Sequence, residues 1–332
     1  MTDQPVLLFN RLVARPRPLA SMISISLVLI LLPFAAAALD GQLSELFNQG
    51  TWRFTLVQPV VIIYILIVAP IMSSIGDDVV QSFRPLVQLD DKSFARLIAE
   101  YSSVPLIRET IAILIGAAFG MWWAISNDSE ITPSWFFAYW TLANTAMFGL
   151  LSWTIYLSFA DTRLTAALHR QPLIIDLFDI TPFEAVGRQS LAGALVFIGG
   201  ILLSLILGAA PETFRSIEFW LLYIPLALVP VLIFFMSMRP THEVLSREKK
   251  RLQRILKSQL HVRIHKLESG LEKGGIPVEL ASELNALSSY EKILQNSRTW
   301  PYNTAQLRTL FFSVLLPAIS MLLRSVVDNY LK

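Results

Sequence analysis

Cysteine is absent from all 332 residues, which removes disulfides, thiolate metal sites, iron–sulfur clusters and a cysteine nucleophile together. Charge is scarce as well: Asp, Glu, Lys and Arg make up 16% of the chain, against roughly 25% in an ordinary soluble domain. Neither sign dominates, since 27 Lys and Arg face 25 Asp and Glu, so no global field points to nucleic acid as a partner. Only four histidines occur. No Walker loop, dinucleotide fingerprint, nucleophile elbow or zinc signature is present. The expectation is therefore a protein that is not an enzyme, with no catalytic residue, cofactor or metal ligand to assign.

What the chain does hold is apolar sequence, at 54% of residues. About 20 apolar residues are needed to cross a hydrocarbon core of roughly 30 Å, and six runs reach or approach that length: Leu19 to Leu39, Phe54 to Ile75, Thr110 to Ile125, Trp135 to Ala160, Leu191 to Ala210, and Phe219 to Met238. None contains Asp, Glu, Lys or Arg, whereas a soluble core helix of this length carries a polar face. The first run follows Arg11, Arg15 and Arg17 and ends in alanines, as a cleavable secretory signal does. It exceeds the usual signal core of about 7 to 15 residues, so an uncleaved anchor is expected.

Lys and Arg then set the orientation. Twenty-three of them fall in the N-terminal segment, in the connections after the second and fourth runs, and in residues 239–308; the alternate connections hold only Arg53 and Arg215. The N-terminus and the tail are expected on the cytoplasmic side. Trp52, Trp122, Trp123, Trp135, Trp140 and Trp220 cluster at the opposite ends, where amphipathic rings favour the headgroup layer. The fold class that follows is all-α: a six-span transmembrane helical bundle of three hairpins, with a cytoplasmic helical-hairpin tail and a terminal membrane-associated helix. Its parts are a cytoplasmic segment 1–18, a transmembrane domain 19–238 with inner loops 76–109 and 161–190, a tail hairpin 239–300, and a last segment 301–332.

The two inner loops resemble each other. One reads Arg84-Pro85-Leu86, then Asp90, Asp91 and Phe94; the other reads Gln171-Pro172-Leu173, then Asp176, Asp179 and Phe183. Repetition of a hairpin unit and shared loop composition both account for this. Each loop also mixes apolar residues with its charges, among them Val79, Phe83, Leu86, Leu168, Leu173 and Leu177, which a loop merely crossing water does not need. Burial on the membrane surface or against the tail is expected.

In the tail, Leu245, Leu252, Leu256, Leu260, Ile264, Leu267 and Leu271 recur at helical steps, predicting a helix over about 241–271. Gly270, Gly274, Gly275 and Pro277 break it before a second helix over about 278–295; a hairpin or coiled coil follows. Its first helix is basic, and Lys249, Lys250, Arg251 and Arg254 are the candidate contacts to anionic lipid headgroups. Between Arg308 and Arg324 lie 15 residues interrupted by Pro317, about 22 Å of helix, so an interfacial or re-entrant helix and a seventh span both remain open.

Met238-Arg239-Pro240-Thr241-His242, Tyr290 and Trp300-Pro301-Tyr302, followed by the apolar segment around Pro317, resemble the C-terminal half of uncharacterised bacterial multi-pass inner-membrane proteins, in which a Trp-Pro-aromatic motif precedes a terminal apolar helix. Asp176-Leu177-Phe178-Asp179 and Gly187-Arg188 are similar to theirs as well. The resemblance implies a bacterial inner-membrane location and supplies no activity.

The remaining polar signals are sparse. His261 and His265 share a helix face, the spacing of a metal-ligand pair, but Val262 stands where a metalloprotease has Glu and no third ligand is near. Asp77-Asp78, Asp90-Asp91 and Asp176 with Asp179 suit either a cation or helix capping. Within the spans, Gln58, Asn144 and Thr145 are the candidates for lining a pathway or for hydrogen-bonding between helices. Gly116 with Gly120, and Gly200, Ser204 and Gly208, permit close helix approach within or between subunits. The functional expectation is a homo-oligomeric, channel-like or scaffolding module with membrane lipids as partners. The alternatives are a small-molecule transporter or permease, and a membrane-embedded enzyme acting on a lipid-linked substrate.

Overall fold

A computed structural model describes residues 17–102, 106–126, 134–208, 217–272, 278–302 and 305–313. Among these residues the protein is helical throughout, with ten named helices: α1 (Leu19–Leu39), α2 (Leu43–Asn48), α3 (Trp52–Thr55), α4 (Val57–Phe83), α5 (Asp91–Ser102), α6 (Leu106–Ser126), α7 (Trp135–His169), α8 (Thr181–Gly208), α9 (Ile217–Glu272) and α10 (Val278–Asn296). Six helical stretches, built on α1, α4, α6, α7, α8 and α9, are long and apolar enough to cross a membrane. Their outward faces are apolar, with Leu27, Leu31, Ile115, Leu142, Ile206 and Leu221 all exposed. Side chains of that kind are stable against lipid and costly against water. This is the composition of a multi-pass membrane protein.

Several helices outrun the apolar runs that seed them. At 1.5 Å per residue, the 35 residues of α7 extend about 52 Å, well beyond a hydrocarbon core of roughly 30 Å. α4 continues past Ile75 through Asp77 and Asp78 to Phe83, because Val79 and Phe83 are buried on its inner side. Both helices stop just before a proline. Arg84 precedes Pro85, and Arg170 with Gln171 precedes Pro172, where the proline ring disfavours helical backbone in the residue ahead of it.

The tail departs from expectation. The sequence predicts a separate helix starting near Thr241, but α9 runs unbroken for 56 residues from the sixth span into the tail, passing through Pro225, Pro230 and Pro240. Proline removes one hydrogen bond and crowds the preceding turn. Around Pro240 that cost is offset by burial on both sides, since Met238, Thr241 and Leu245 are each fully buried. α10 then folds back on α9, joined by an ion pair between Arg263 Nε and a Glu283 carboxylate oxygen at 2.8 Å.

Within the bundle α6 lies along α7, and α8 packs between α4 and α9. Glycine sets the α6–α7 distance: a Cβ on Gly116 would meet Ser152 Cβ at 2.5 Å, and one on Gly120 would meet the Asn144 carbonyl oxygen at 2.5 Å. The Gly116–Gly120 stripe therefore works inside one subunit. Of the second stripe, Gly208 faces Val57, while Ser204 reaches Tyr223 across to α9. α1 leans more on α7 than on its sequence neighbour α4. At its C-terminal end Asp40 accepts hydrogen bonds from the Trp135 and Phe136 amides, at 3.1 and 2.7 Å, and so caps α7. Those amides hold the Asp40 carboxyl below its usual range. Gly41 and Gly50, with φ of +71° and +69°, make the turns around α2 that only glycine adopts cheaply.

Candidate functional site

At the end of the bundle bearing the long connections, the two look-alike loops come together. Val87 and Leu173 form an isolated antiparallel bridge. The Gln88 amide donates to the Pro172 carbonyl at 3.0 Å, and the Ile174 amide donates to the Leu86 carbonyl at 2.9 Å. Both loops then use an aspartate to start the next helix. Asp90 accepts from the Ser93 amide and Asp179 from the Thr181 amide, and hydrogen bonding by the Ser93 and Thr181 hydroxyls, then by these amides, holds both carboxyls below the ordinary carboxylate range. A buried phenylalanine follows each cap, Phe94 in α5 and Phe183 in α8.

The tail closes over this pair of loops. Phe83, Val87, Phe94, Leu168, Leu177 and Phe183 from the loops and helix ends share one apolar core with Leu245 and Leu256 of α9 and Leu294 of α10. The apolar residues among the loop charges thus bury against the tail. α5 contributes Phe94, Leu97 and Ile98 to the same core.

A buried polar pair sits in the wall of that core. His169 Nδ1 lies 2.6 Å from the Thr165 carbonyl, which only accepts, so the proton is on Nδ1. In the neutral ring Nε2 is then the acceptor for the Thr241 hydroxyl at 2.8 Å. The imidazole also meets the Phe83 ring edge-on at 4.8 Å. One residue on, His242 stacks on Trp300 with ring centres 3.9 Å apart, and its Nδ1 lies 3.2 Å from the Thr299 carbonyl. Pro301 in turn rests its carbonyl on Gly187, where a Cβ would collide with it. Phe178 touches Tyr290 at 5.5 Å between centroids. The motifs around Thr241, Trp300, Asp176 and Gly187, scattered in sequence, therefore converge on one junction.

The opposite half of the bundle holds a cavity of about 370 Å³, within the range of small-molecule sites. Its wall is drawn from α3, α4, α6, α7, α8 and α9 and includes Gln58, Tyr64, Asn144 and Tyr223. It reaches no deeper than Ile65 on α4 and Thr154 on α7. Gln58 Nε2 donates to Asn144 Oδ1 at 3.4 Å, so two of the three polar candidates meet there. Thr145 does not line the cavity; its hydroxyl donates to the Thr141 carbonyl within α7.

The other sequence candidates are dispersed. Lys249 donates to the carbonyls of Gln295 and Ser297, at 2.7 and 2.8 Å, and so caps the C-terminal end of α10. Arg251 pairs with Glu248, and Arg254 donates to the Lys250 carbonyl. Asp91 pairs with Arg84. His265 lies 3.4 Å from Glu268, and no group of three or more metal-ligating side chains gathers among the described residues. Of the terminal segment, residues 305–313 are helical and place Leu310 against Ala194, Phe234 and Met238; the question of a seventh span falls on residues outside the described ones.

One buried group escaped sequence reasoning. Glu109, immediately before the third apolar run, is 2% exposed and accepts a hydrogen bond from Trp153 Nε1 at 2.6 Å. The available signal was Trp153 itself, a tryptophan away from the span ends whose indole N–H needs a buried acceptor.

No family model, curated protein or solved structure matches the chain.

Proposed function

We propose that this protein is a non-enzymatic scaffolding module in which a membrane bundle holds a helical platform, made of two loops and the tail hairpin, at a fixed position on its cytoplasmic face. The observation that carries this reading is the single core shared by Phe83, Phe183, Leu245, Leu256 and Leu294. A tail that only tethered a partner would need no common core with the bundle. The concentration of Lys and Arg at this end supports a cytoplasmic placement, and the resemblance of the Trp300-Pro301-Tyr302 region supports a bacterial inner membrane.

A scaffold is favoured over a pore by what occupies the bundle below the cavity. Phe234 and Met238, about two and three turns beyond the last cavity residue of α9, Leu226, are fully buried there, and large apolar side chains at this depth oppose a continuous water path. The cavity itself is the observation in favour of the rival transporter reading. Among the described residues its wall carries no Asp, Glu, Lys, Arg or His, which is a poor fit to ion-coupled transport.

Self-association is part of the proposal. Ile255 and Val262 stand one heptad apart on α9 and remain about half exposed, the spacing of a coiled-coil seam; the occupant assigned is the same helix of a second copy. Lys250, Arg251 and Arg254 on this helix are the proposed contacts to anionic headgroups.

The test is the full chain reconstituted in liposomes under a salt gradient, with its mass measured in nanodiscs. We expect no ion flux and a mass above one copy, falling to one copy in Ile255→Glu/Val262→Glu. Specific flux overturns the scaffold in favour of a channel, and an unchanged mass in the variant removes the α9 seam.

A further inference from the structure

Gln58, one of the residues lining the cavity, carries a buried oxygen to which nothing is bonded. Gln58 is 3% exposed, and its Oε1 has no hydrogen-bond partner. A relay of amides fixes which end of this side chain is free. Asn144 Nδ2 donates to the Trp140 carbonyl at 2.9 Å, which turns Asn144 Oδ1 toward Gln58. Only the NH2 group of Gln58 can donate to that oxygen, so its carbonyl oxygen is the atom left over.

The neighbouring hydroxyls do not supply the missing donor. Tyr64 donates to the Val196 carbonyl at 2.8 Å, and Thr154 donates to the Leu150 carbonyl at 2.8 Å. Ser204 donates to the Ile201 carbonyl at 2.8 Å, which leaves its oxygen to accept the Tyr223 hydroxyl at 3.0 Å. Each of these protons is directed at a protein oxygen. A buried acceptor without a donor is costly, and an occupant that brings the donor recovers that cost.

The rest of the wall defines the occupant's other properties. Among the described residues no Asp, Glu, Lys, Arg or His lines the space, so an ionic ligand would be desolvated there without a counter-charge. Phe54, Trp123, Trp140, Phe148 and Phe197 supply an aromatic surface for a hydrocarbon body. We infer that the cavity is a binding site for a neutral long-chain alcohol, whose hydroxyl donates to Gln58 Oε1 while its chain lies against these rings.

The test uses the full chain in nanodiscs, with ω-bromododecanol as the probe and bromododecane as the control lacking the hydroxyl; bromine quenches tryptophan fluorescence at short range. Wild type is expected to show saturable quenching by the alcohol at a concentration about 5-fold below that of the alkane, the discrimination given by one buried hydrogen bond. Gln58→Leu is expected to erase this preference while leaving the alkane curve in place. Trp123→Phe/Trp140→Phe should remove most of the quenching and so locate the probe. Leu226→Phe, which narrows the cavity without touching its polar groups, should weaken both probes. Equal affinity for the two probes in wild type, a preference that survives Gln58→Leu, or no saturable quenching each overturns the assignment.

Discussion

Gly187 and Pro301 meet backbone to backbone: the Pro301 carbonyl oxygen occupies the space where any side chain on Gly187 would begin. This contact fastens the segment after the tail hairpin to the first turns of α8, and Trp300 beside it stacks on His242 of α9. Three separate stretches of chain are thereby joined at one point.

Gly187→Val should therefore undock the Trp300 segment. Overpacking of this kind costs about 1–3 kcal/mol, read as a lowered melting temperature. Proteolysis near Arg298 should accelerate in the same variant, and a cleavage rate equal to wild type would show that the contact does not hold the tail.

The His169–Thr241 pair should behave as a unit. Removing either partner leaves a buried polar group unsatisfied, at about 1–3 kcal/mol. His169→Phe and Thr241→Val are each expected to destabilise, and the double variant by less than the sum of the two. Additive losses in a double-mutant cycle would mean that the hydrogen bond contributes nothing of its own.

Gly116→Leu and Gly120→Leu should separate α6 from α7. Each is expected to lose at least about 1–3 kcal/mol in thermal stability with no change of oligomer mass, because the close approach is to Phe148, Ser152 and Asn144 of the same chain. A variant with normal stability and altered mass would move the stripe to a subunit interface.

Acid should weaken the bundle ends through the capping aspartates. Asp40, Asp90 and Asp179 all have carboxyl values lowered from about 3.8 by hydrogen bonds that favour the charged form. A group depressed on folding contributes fully above its unfolded value and loses that contribution as pH falls through the folded one. Stability attributable to these caps should hold constant from neutral pH down to about 5 and decline below 4. Asp→Asn at the three positions, which keeps a capping oxygen, should flatten that decline in melts recorded against pH.

The sequence revealed each apolar run as a helix because hydrophobicity at span length leaves few alternatives. The pairing of the loops was partly visible in Pro85-Leu86 and Pro172-Leu173, since the prolines stop α4 and α7 and the aspartates restart α5 and α8. Gln58 and Asn144 each stand out in the sequence as polar residues within apolar runs, and they hydrogen-bond to each other. Continuity of α9 through Pro240 was not legible, because local preference argues for a break there and only the burial of Met238, Thr241 and Leu245 overrides it. Glu109 was hidden for a similar reason: a carboxylate at the edge of an apolar run reads as solvent-facing until its tryptophan partner is placed.

The length of α9 gives the molecule a lever. Tyr223 on the cavity wall and Glu272 at the far end of the tail belong to one uninterrupted helix, about 84 Å long for its 56 residues. With Thr241 as fulcrum, a tilt of about 5° sweeps the distal tip through roughly 4 Å, the outer arm being about 46 Å at the helical rise. The same tilt moves Tyr223, about 27 Å on the other side of the fulcrum, by roughly 2.4 Å, so a displacement at the cavity wall reaches the end of the tail enlarged about 1.7-fold.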